Sequence, residues 1–297
     1  MSPEVVGSRS ELTDVRSPRV KAAKRLLKRS FREQDRAFLA EGPQAVREAL
    51  LHAAEFHAAE LHAAHSGQGV RELFVTADAR GRHPELMERA VALGVPVHLA
   101  SGAVLGELSE TVTPQGVVAV CDVLDVALAA ALELSRDADV PALIVLLAAV
   151  RDPGNAGTVL RTADAAGASA VVFSDNSVDP YNGKCVRASA GSVFHLPIVV
   201  GEPVVAAIAT LRSSGHHVFA ADSRPDAVSL DELDRDGRLA QPTTWVFGNE
   251  AWGLPPDVVE AADVAVRVPI YGRAESLNLA AAAAVCLYAS ARARRPA

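Results

Sequence analysis

Side chains that could orient a reacting group or stabilise charge on it are concentrated in three short segments of the C-terminal half. They read RDPGNAGTVLRTADAAG (151–167), VFGNEAWGLPP (246–256) and VPIYGRAESLNLAAAAAVCLYA (268–289). We call them the first, second and third turn. Each turn begins where an apolar, strand-like run ends. Because ligands of open α/β sheets bind at the carboxyl ends of the strands, three turns meeting at one edge would form a site.

The first turn offers an amide and a cation. Asn155 either caps the following helix or hydrogen-bonds a ligand, and the glycines beside it permit a tight backbone. Arg161 lies on that helix, within two turns of its start, and the segment alone favours a surface ion pair for it. A dinucleotide fingerprint is excluded because GxGxxG is absent, and a P-loop is excluded because no GK[ST] occurs.

The second and third turns offer a carboxylate, a hydroxyl and a second amide. Glu250 follows a strand, where it either pairs with a partner such as Arg161 or is a helix-proximal acid. Ser276 is of a type favoured as the N-cap of the Ala-rich helix after it. Asn278 lies two residues further on, and helix capping alone does not explain an asparagine at this position.

Alternating strands and helices must position these turns. In the N-terminal part, helices are predicted from Ser17-Pro18 and over 44–64, 84–93 and 104–108, and strands over 71–76, 95–99 and 116–123. In the C-terminal part, strands are predicted over 142–150, 170–174, 217–221, 244–247 and 264–268, with helices over 126–138, 157–166, 203–214, 255–261 and 276–292. The continuous apolar run LIVLLAAV is typical of a parallel sheet covered on both faces. The fold class is therefore α/β.

Length and composition limit the possible number of domains and the possible classes of protein. A chain of 297 residues suggests two domains of about 150 residues each, and a hydrophobic share of 49% supports sizeable cores. The cysteines (Cys121, Cys185 and Cys286) lack metal-site spacing and are predicted to be buried. The chain lacks a signal-peptide core, and its longest apolar run is too short for a bilayer, so we expect a cytoplasmic protein without membrane contact.

Two further patterns, one of histidines and one of basic residues, are candidate binding sites. In the segment HAAEFHAAELHAAH only His62 and His65 share a helical face, so no metal site is predicted. The net charge is −7, yet residues 16–36 hold nine basic residues against Glu33 and Asp35. Such a cluster is either a solvated helix face or a phosphate-binding surface. The candidate RNA contacts in it are Arg19, Lys21, Lys24, Arg25, Lys28 and Arg29.

The three turns resemble the signature motifs of the SpoU (TrmH) family of RNA ribose 2'-O-methyltransferases. The family patterns are N-x-G-x-x-x-R, F-G-x-E-x-x-G-[LI] and [IV]-P-[MI]-x-G-x-x-x-S-L-N. They appear here in order, at Asn155/Gly157/Arg161, at Gly248/Glu250/Gly253/Leu254 and at Pro269/Ile270/Gly272/Ser276/Leu277/Asn278. Residues 17–123 resemble the L30e-like substrate-binding domain that precedes many members.

The resemblance implies a fold and a cofactor. It implies a flexible N-terminus (1–16), an L30e-like RNA-binding domain (17–125), a linker (126–140) and a SPOUT methyltransferase domain with a deep trefoil knot (141–297). It also implies a homodimer and S-adenosylmethionine as the methyl donor. The residues that would hold this cofactor are Ala221, Asp222, Phe247, Gly248, Ile270, Leu277 and Leu279.

The resemblance further implies a reaction centre of Arg161, Asn155, Glu250, Ser276 and Asn278. Because arginine stays protonated in proteins, an RNA phosphate would relay the proton of the 2'-hydroxyl, or Arg161 would orient the ribose. Arg187 and Ser189 are further candidate phosphate contacts. The substrate favoured by the added N-terminal domain is 23S ribosomal RNA. A transfer-RNA methyltransferase, a non-catalytic RNA-binding protein and a small-molecule enzyme are the alternatives.

Overall fold

The computed structural model describes residues 11–60, 69–136 and 140–295. These residues form two units, each built on its own sheet. The N-terminal unit comprises the described residues up to Val123 together with Tyr181–Phe194. The C-terminal unit comprises the described residues of Leu124–Pro180 and His195–Ala297.

The elements are numbered along the chain. The strands are β1 (Ala37–Glu41), β2 (Val70–Val75), β3 (Val97–Leu99), β4 (Val117–Asp122), β5 (Leu143–Leu147), β6 (Ala170–Ser174), β7 (Ile198–Glu202), β8 (His217–Ala221), β9 (Val228–Ser229), β10 (Thr243–Phe247) and β11 (Val264–Arg267). The helices are α1 (Pro18–Lys24), α2 (Arg29–Asp35), α3 (Pro43–Glu60), α4 (Ala77–Arg82), α5 (Pro84–Ala92), α6 (Gly102–Glu107), α7 (Leu128–Arg136), α8 (Pro153–Ala165), α9 (Gly183–Ser189), α10 (Val204–Ser213), α11 (Leu230–Arg235), α12 (Pro256–Ala261) and α13 (Leu279–Ala293). The predicted α/β class is confirmed.

The N-terminal unit has a mixed four-stranded sheet in the order β1-β4-β2-β3. β4 is antiparallel to β1 and β2, whereas β2 and β3 are parallel. Helix α1 begins as its sequence predicts: the Ser17 side chain accepts a hydrogen bond from the Val20 N–H, and Pro18 occupies the first turn. Val20 then belongs to a buried core cluster that also includes Phe74 and Val118.

Strand β1 falls outside the predicted strands. The residues of β1 are buried at all but its last position, so the sequence shows no alternation of apolar and polar residues there. Phe38 of this strand packs on rings of the later segment Tyr181–Phe194, at 4.7 Å from the ring centroid of Tyr181 and 5.8 Å from that of Phe194. This segment carries α9 and completes the N-terminal unit.

The C-terminal unit has a parallel sheet in the order β7-β6-β5-β10-β8-β11-β9. Leu147 at the end of β5 is in register with Phe247 of β10, and Phe247 is in register with Ala221 of β8. The carboxyl ends of these strands therefore lie side by side. The first turn leaves β5, the second leaves β10 and the third follows β11, so the register brings all three to one edge.

Helices cover both faces of this sheet. Ile144 and Leu146 face a core shared with α7, α10 and α12. The alternate residues point to the other face, where the indole N–H of Trp245 donates to the Ser290 hydroxyl of α13 at 2.9 Å. Both faces are apolar because both are covered, which confirms the interpretation of LIVLLAAV as a buried parallel strand.

The cysteines Cys121, Cys185 and Cys286 are buried, as predicted, and none of them forms a disulfide bond. Burial raises the pKa of the Cys121 and Cys286 thiols, which disfavours the reactive thiolate form. Among the described residues, no helix has the length and apolar character needed to cross a bilayer. In the same residues no His, Cys, Asp and Glu side chains cluster as metal ligands, and His62 and His65 lie outside them.

Candidate functional site

The first turn places Asn155 inside a helix rather than at its cap. Asp152 is the N-cap of α8, and its carboxylate accepts the Asn155 N–H at 2.7 Å. Pro153 then occupies the first helical position, where a missing N–H costs nothing. Because Asp152 satisfies the backbone of Asn155, the Asn155 side chain is left to reach the second turn.

The second turn is a tight loop that requires glycine. Asn249 and Gly253 exchange backbone hydrogen bonds of 3.1 and 2.9 Å, and Gly253 has φ +69°. A Cβ atom on Gly248 would lie 2.5 Å from the Gly253 carbonyl carbon. The Asn249 side chain donates to the carbonyl of Ala149 at 2.8 Å, which ties the second turn to the start of the first. Ala149 itself adopts φ +54°, a strained conformation for a residue other than glycine.

The third turn ends at Asn278, which caps α13. Its side-chain oxygen accepts the N–H groups of Ala280 at 2.9 Å and Ala281 at 3.4 Å. The prediction that Ser276 caps this helix is wrong, because the helix begins at Leu279, three residues later than predicted. Ser276 is instead exposed in the loop before the cap.

A chain of side-chain hydrogen bonds joins the three turns. The Asn278 Nδ2 donates to Asn155 Oδ1 at 3.2 Å, and the Asn155 Nδ2 donates to Glu250 Oε1 at 3.1 Å. The backbone N–H of Asp152 points to the same Glu250 oxygen at 3.4 Å. Asn155 therefore accepts from the third turn and donates to the second. Each of these residues lies in a different turn, so their alignment depends on the sheet register.

These side chains border a cavity of about 630 Å³ at the carboxyl edge of the sheet. Predicted site residues that line it are Asn155, Ala221, Asp222, Phe247, Gly248, Glu250, Ile270, Ser276, Leu277, Asn278 and Leu279. The lining combines apolar side chains with carboxylates and exposed main chain. Such a surface suits a ligand that has both a flat apolar part and a cationic part.

Arg161 is the predicted catalytic residue that does not line the cavity. It lies on an exposed position of α8 and makes no hydrogen bond or ion pair with any described residue. The predicted surface ion pair is therefore absent from the described part of the chain, and Glu250 bonds to Asn155 rather than to Arg161. Arg161 is a cation free to meet an anion from outside the chain.

Most of the N-terminal basic cluster is paired within its own unit. Ion pairs join Arg19 to Glu72, Lys24 to Glu107, Arg25 to Asp35 and Arg29 to Glu33. Lys21 and Lys28 are exposed and make no such bond within the described residues. The positive field of this surface is therefore weaker than the count of basic residues suggests.

The other candidate phosphate contacts are engaged inside the N-terminal unit. Arg187 donates to Glu41 at 3.0 Å and lies 3.6 Å from a Glu110 oxygen. Glu41 also accepts the hydroxyls of Ser109 and Thr111. Ser189 is fully buried, and its hydroxyl donates to the Val186 carbonyl at 2.8 Å. An RNA contact through the Ser189 hydroxyl would require this packing to change.

The cavity also includes residues that motif spacing did not single out. Trp252 and Ala251 occupy variable positions of the second turn. Ser223 follows strand β8, and Glu275 directly precedes Ser276. Their only sequence signal is that they neighbour motif positions. The exposed indole of Trp252 is the largest of these side chains.

Comparison with known proteins gives a consistent picture. Residues 142–288 match the model of the SpoU rRNA Methylase family, and residues 17–119 match the MRM3-like substrate binding domain. The chain is 32% identical to the 23S rRNA (guanosine(2553)-2'-O)-methyltransferase RlmP of Bacillus subtilis, over 94% of this chain and 98% of that protein.

Solved structures agree with this likeness. The AdoMet-bound rRNA methyltransferase of Sinorhizobium meliloti superposes with a TM-score of 0.77 at 29% identity, over 95% of this chain and 97% of that one. The SpoU methyltransferase AviRb of Streptomyces viridochromogenes in complex with AdoMet gives a TM-score of 0.74 at 27% identity, over 93% of this chain and 98% of that one.

Proposed function

The chain belongs to the SpoU family of S-adenosylmethionine-dependent RNA methyltransferases, and on that premise we propose that it methylates a ribose 2'-oxygen of 23S ribosomal RNA. The observation that carries the proposal is the hydrogen-bonded chain Asn278–Asn155–Glu250. It joins the family's three signature segments beside a single cavity.

The cavity fits S-adenosylmethionine. Its volume of about 630 Å³ falls within the range of roughly 300–1,000 Å³ for small-molecule sites. Ile270, Leu277 and Leu279 offer apolar surface for an adenine, and Gly248 and Ala221 offer main chain at strand ends. Asp222 already accepts bonds from the N–H and guanidinium of Arg224, so we expect its main chain to contribute most. When bound, the sulfonium of this cofactor supplies an activated methyl group.

The protein's part of the reaction is alignment and proton handling. Holding reactants in line contributes about 7–11 kcal/mol. The chain Asn278–Asn155–Glu250 fixes the turns that shape the cavity, and Ser276 lies in the same rim. Arg161 cannot accept the proton of a 2'-hydroxyl, because its guanidinium stays protonated. We therefore assign Arg161 to holding an RNA phosphate or the ribose, with the phosphate relaying the proton.

We propose a trefoil knot in the C-terminal unit and a homodimer. The knot is supported by the strand order, since β10 lies between β5 and β8, and β11 between β8 and β9, although both come later in the chain. The homodimer is supported by α13, on which Val285 is 42% exposed and Tyr288 49% exposed. An apolar face of this kind fits a second copy of the chain.

We also propose that residues 17–125 bind the RNA substrate and that 141–297 carry catalysis in the cytoplasm. The linker predicted over 126–140 includes helix α7, which packs into the core of the C-terminal unit. The matched substrate-binding model over 17–119 supports the first assignment. Among the basic residues of that region, Lys21 and Lys28 are the first candidates for phosphate contacts, because their ammonium groups have no partner in the described residues.

Methyl transfer from radiolabelled S-adenosylmethionine to purified ribosomal RNA and transfer RNA tests the proposal. We expect label in ribosomal RNA as a 2'-O-methylnucleoside, and loss of that label in Arg161→Ala with cofactor binding intact. Label confined to transfer RNA would overturn the substrate. Absence of label in naked RNA and in intact ribosomal subunits, with cofactor bound, would overturn the activity itself.

A further inference from the structure

The second turn presents one large aromatic side chain to solvent beside the cavity. Trp252 is 56% exposed, whereas the other tryptophan, Trp245, is fully buried. Trp252 also lines the cavity next to Glu250. A tryptophan of this exposure contributes little to the core, and tryptophan is a side chain enriched at binding interfaces.

The loop that carries Trp252 is rigid without help from the indole. Asn249 and Gly253 bridge its base through reciprocal backbone bonds, and the Asn249 side chain accepts the Ala251 N–H at 2.9 Å. The loop is further anchored to the carbonyl of Ala149. The backbone that carries the indole is therefore ordered before any ligand arrives, which lowers the entropic cost of binding.

A cation stacks on this indole. The guanidinium carbon of Arg151 lies 5.1 Å from the centre of the Trp252 ring. Arg151 is exposed and has no carboxylate partner among the described residues. The pair thus combines a flat aromatic surface with an uncompensated positive charge. This combination recognises single-stranded nucleic acid, in which bases stack on aromatic rings and phosphates meet arginine.

We propose that Trp252 and Arg151 form a stacking platform for an unpaired nucleobase at or next to the methylated ribose. This inference rests on the proposed function. Trp252 lies on the loop that carries Glu250 and lines the same cavity, so a base stacked on its ring would leave the attached ribose close to the methyl donor. A ribose 2'-hydroxyl is the same in all four nucleotides, so contacts with the base must supply any selectivity at this point.

The test compares Trp252→Leu, which removes the ring, with Trp252→Phe, which keeps a smaller one. Steady-state methylation gives separate KM values for RNA and S-adenosylmethionine. In Trp252→Leu we expect the KM for RNA to rise roughly 5- to 150-fold, the factor that base stacking on an aromatic side chain supplies. In Trp252→Phe we expect a smaller rise, and in both variants an unchanged KM for S-adenosylmethionine.

A binding measurement gives a readout that does not depend on turnover. Titration of the wild-type protein with a single-stranded oligoribonucleotide should quench tryptophan fluorescence, and Trp252→Phe should lose most of that quenching because Trp245 is buried. The matched control is Tyr271→Leu, which removes another exposed ring of the same unit that does not line the cavity. It should leave the KM for RNA unchanged.

Two outcomes would overturn the inference. If Trp252→Leu changed the KM for RNA by less than twofold, no base would stack on the indole. If it raised only the KM for S-adenosylmethionine, the ring would hold the adenine of the cofactor instead. Both results require an active wild-type enzyme, so they differ from a failure of the proposed function, in which the wild-type protein itself transfers no methyl group.

Discussion

Asn278 has two separable roles, and one substitution removes only one of them. Its Oδ1 caps α13 through the N–H groups of Ala280 and Ala281, whereas its Nδ2 donates to Asn155. In Asn278→Asp the carboxylate still caps the helix, and its charge at the helix N-terminus stabilises the fold by about 0.3–1 kcal/mol. In Asn278→Ala both the cap and the donor are lost.

The lost donor is not replaced by a rotation of Asn155. In Asn278→Asp, two oxygens face each other at a position where 3.2 Å now separates a donor from an acceptor. If the Asn155 amide flipped, its oxygen would face Glu250, which lies 3.1 Å from the present Nδ2 and only accepts hydrogen bonds when ionised. The series of hydrogen bonds from Asn278 through Asn155 to Glu250 therefore has one possible direction. Breaking it costs at least one hydrogen bond of about 0.5–1.5 kcal/mol plus the oxygen–oxygen repulsion.

Thermal unfolding and methyl transfer together separate the two roles. We expect Asn278→Asp to unfold at or above the wild-type temperature while kcat/KM falls by roughly tenfold or more, since about 1.4 kcal/mol is a factor of ten. We expect Asn278→Ala to lose activity and also about 0.5–2 kcal/mol of stability. Ser229→Ala removes the cap of α11 in the same unit and should lower stability without lowering activity. Wild-type turnover in Asn278→Asp would refute the role assigned to the hydrogen-bonded chain.

Three further substitutions test other parts of the structure. Gly248→Ala should weaken cofactor binding by more than about tenfold, because the added Cβ meets backbone atoms at 2.5 Å that cannot yield; calorimetric titration with an unchanged affinity would contradict this. Glu41→Ala should cost roughly 1–3 kcal/mol in urea unfolding, since it removes the shared acceptor of Arg187, Ser109 and Thr111 while Glu110 still lies near Arg187; a cost below about 0.5 kcal/mol would show that the pair is unimportant. Lys28→Ala should reduce the slope of log affinity for RNA against log salt by ~0.9, whereas the paired Arg29→Ala should change it less. Equal slopes for the two variants would mean that ion pairing does not decide which cations meet the RNA.

The sequence predicts five of the seven strands that the structure describes in the C-terminal sheet because they are strongly apolar, whereas the edge-region strands β7 and β9 were not predicted. The strands 170–174 and 217–221 have the predicted bounds, and 264–267 differs by one residue. The order of the strands is not readable from the same pattern. Nothing in the composition of β10 indicates that it pairs with β5 and β8, because pairing depends on how the chain returns to the sheet rather than on local propensity.

Local charge counts mislead where opposite charges come from distant parts of the chain. The cluster over residues 16–36 contains only two acids, yet Glu72 and Glu107 reach it in the fold. Likewise, Arg187 is separated from Glu41 by 146 residues, and neither position signals the other. The helix cap at Asn278 was also hidden, because Ser276 is an equally good capping type and only the start of α13 decides between them.

The site contains polar side chains that hydrogen-bond to one another and two arginines that have no carboxylate partner within the described part of the chain. Asn155, Asn278 and Glu250 bond in series and fix the three turns, so they shape the cavity whether or not a ligand is present. Arg161 and Arg151 bond to no carboxylate among the described residues. The chain has more acidic than basic residues, with a net charge of −7, so unpaired arginines are not explained by a shortage of carboxylates. Their freedom is consistent with a polyanion as the missing partner, which the RNA supplies only when it docks.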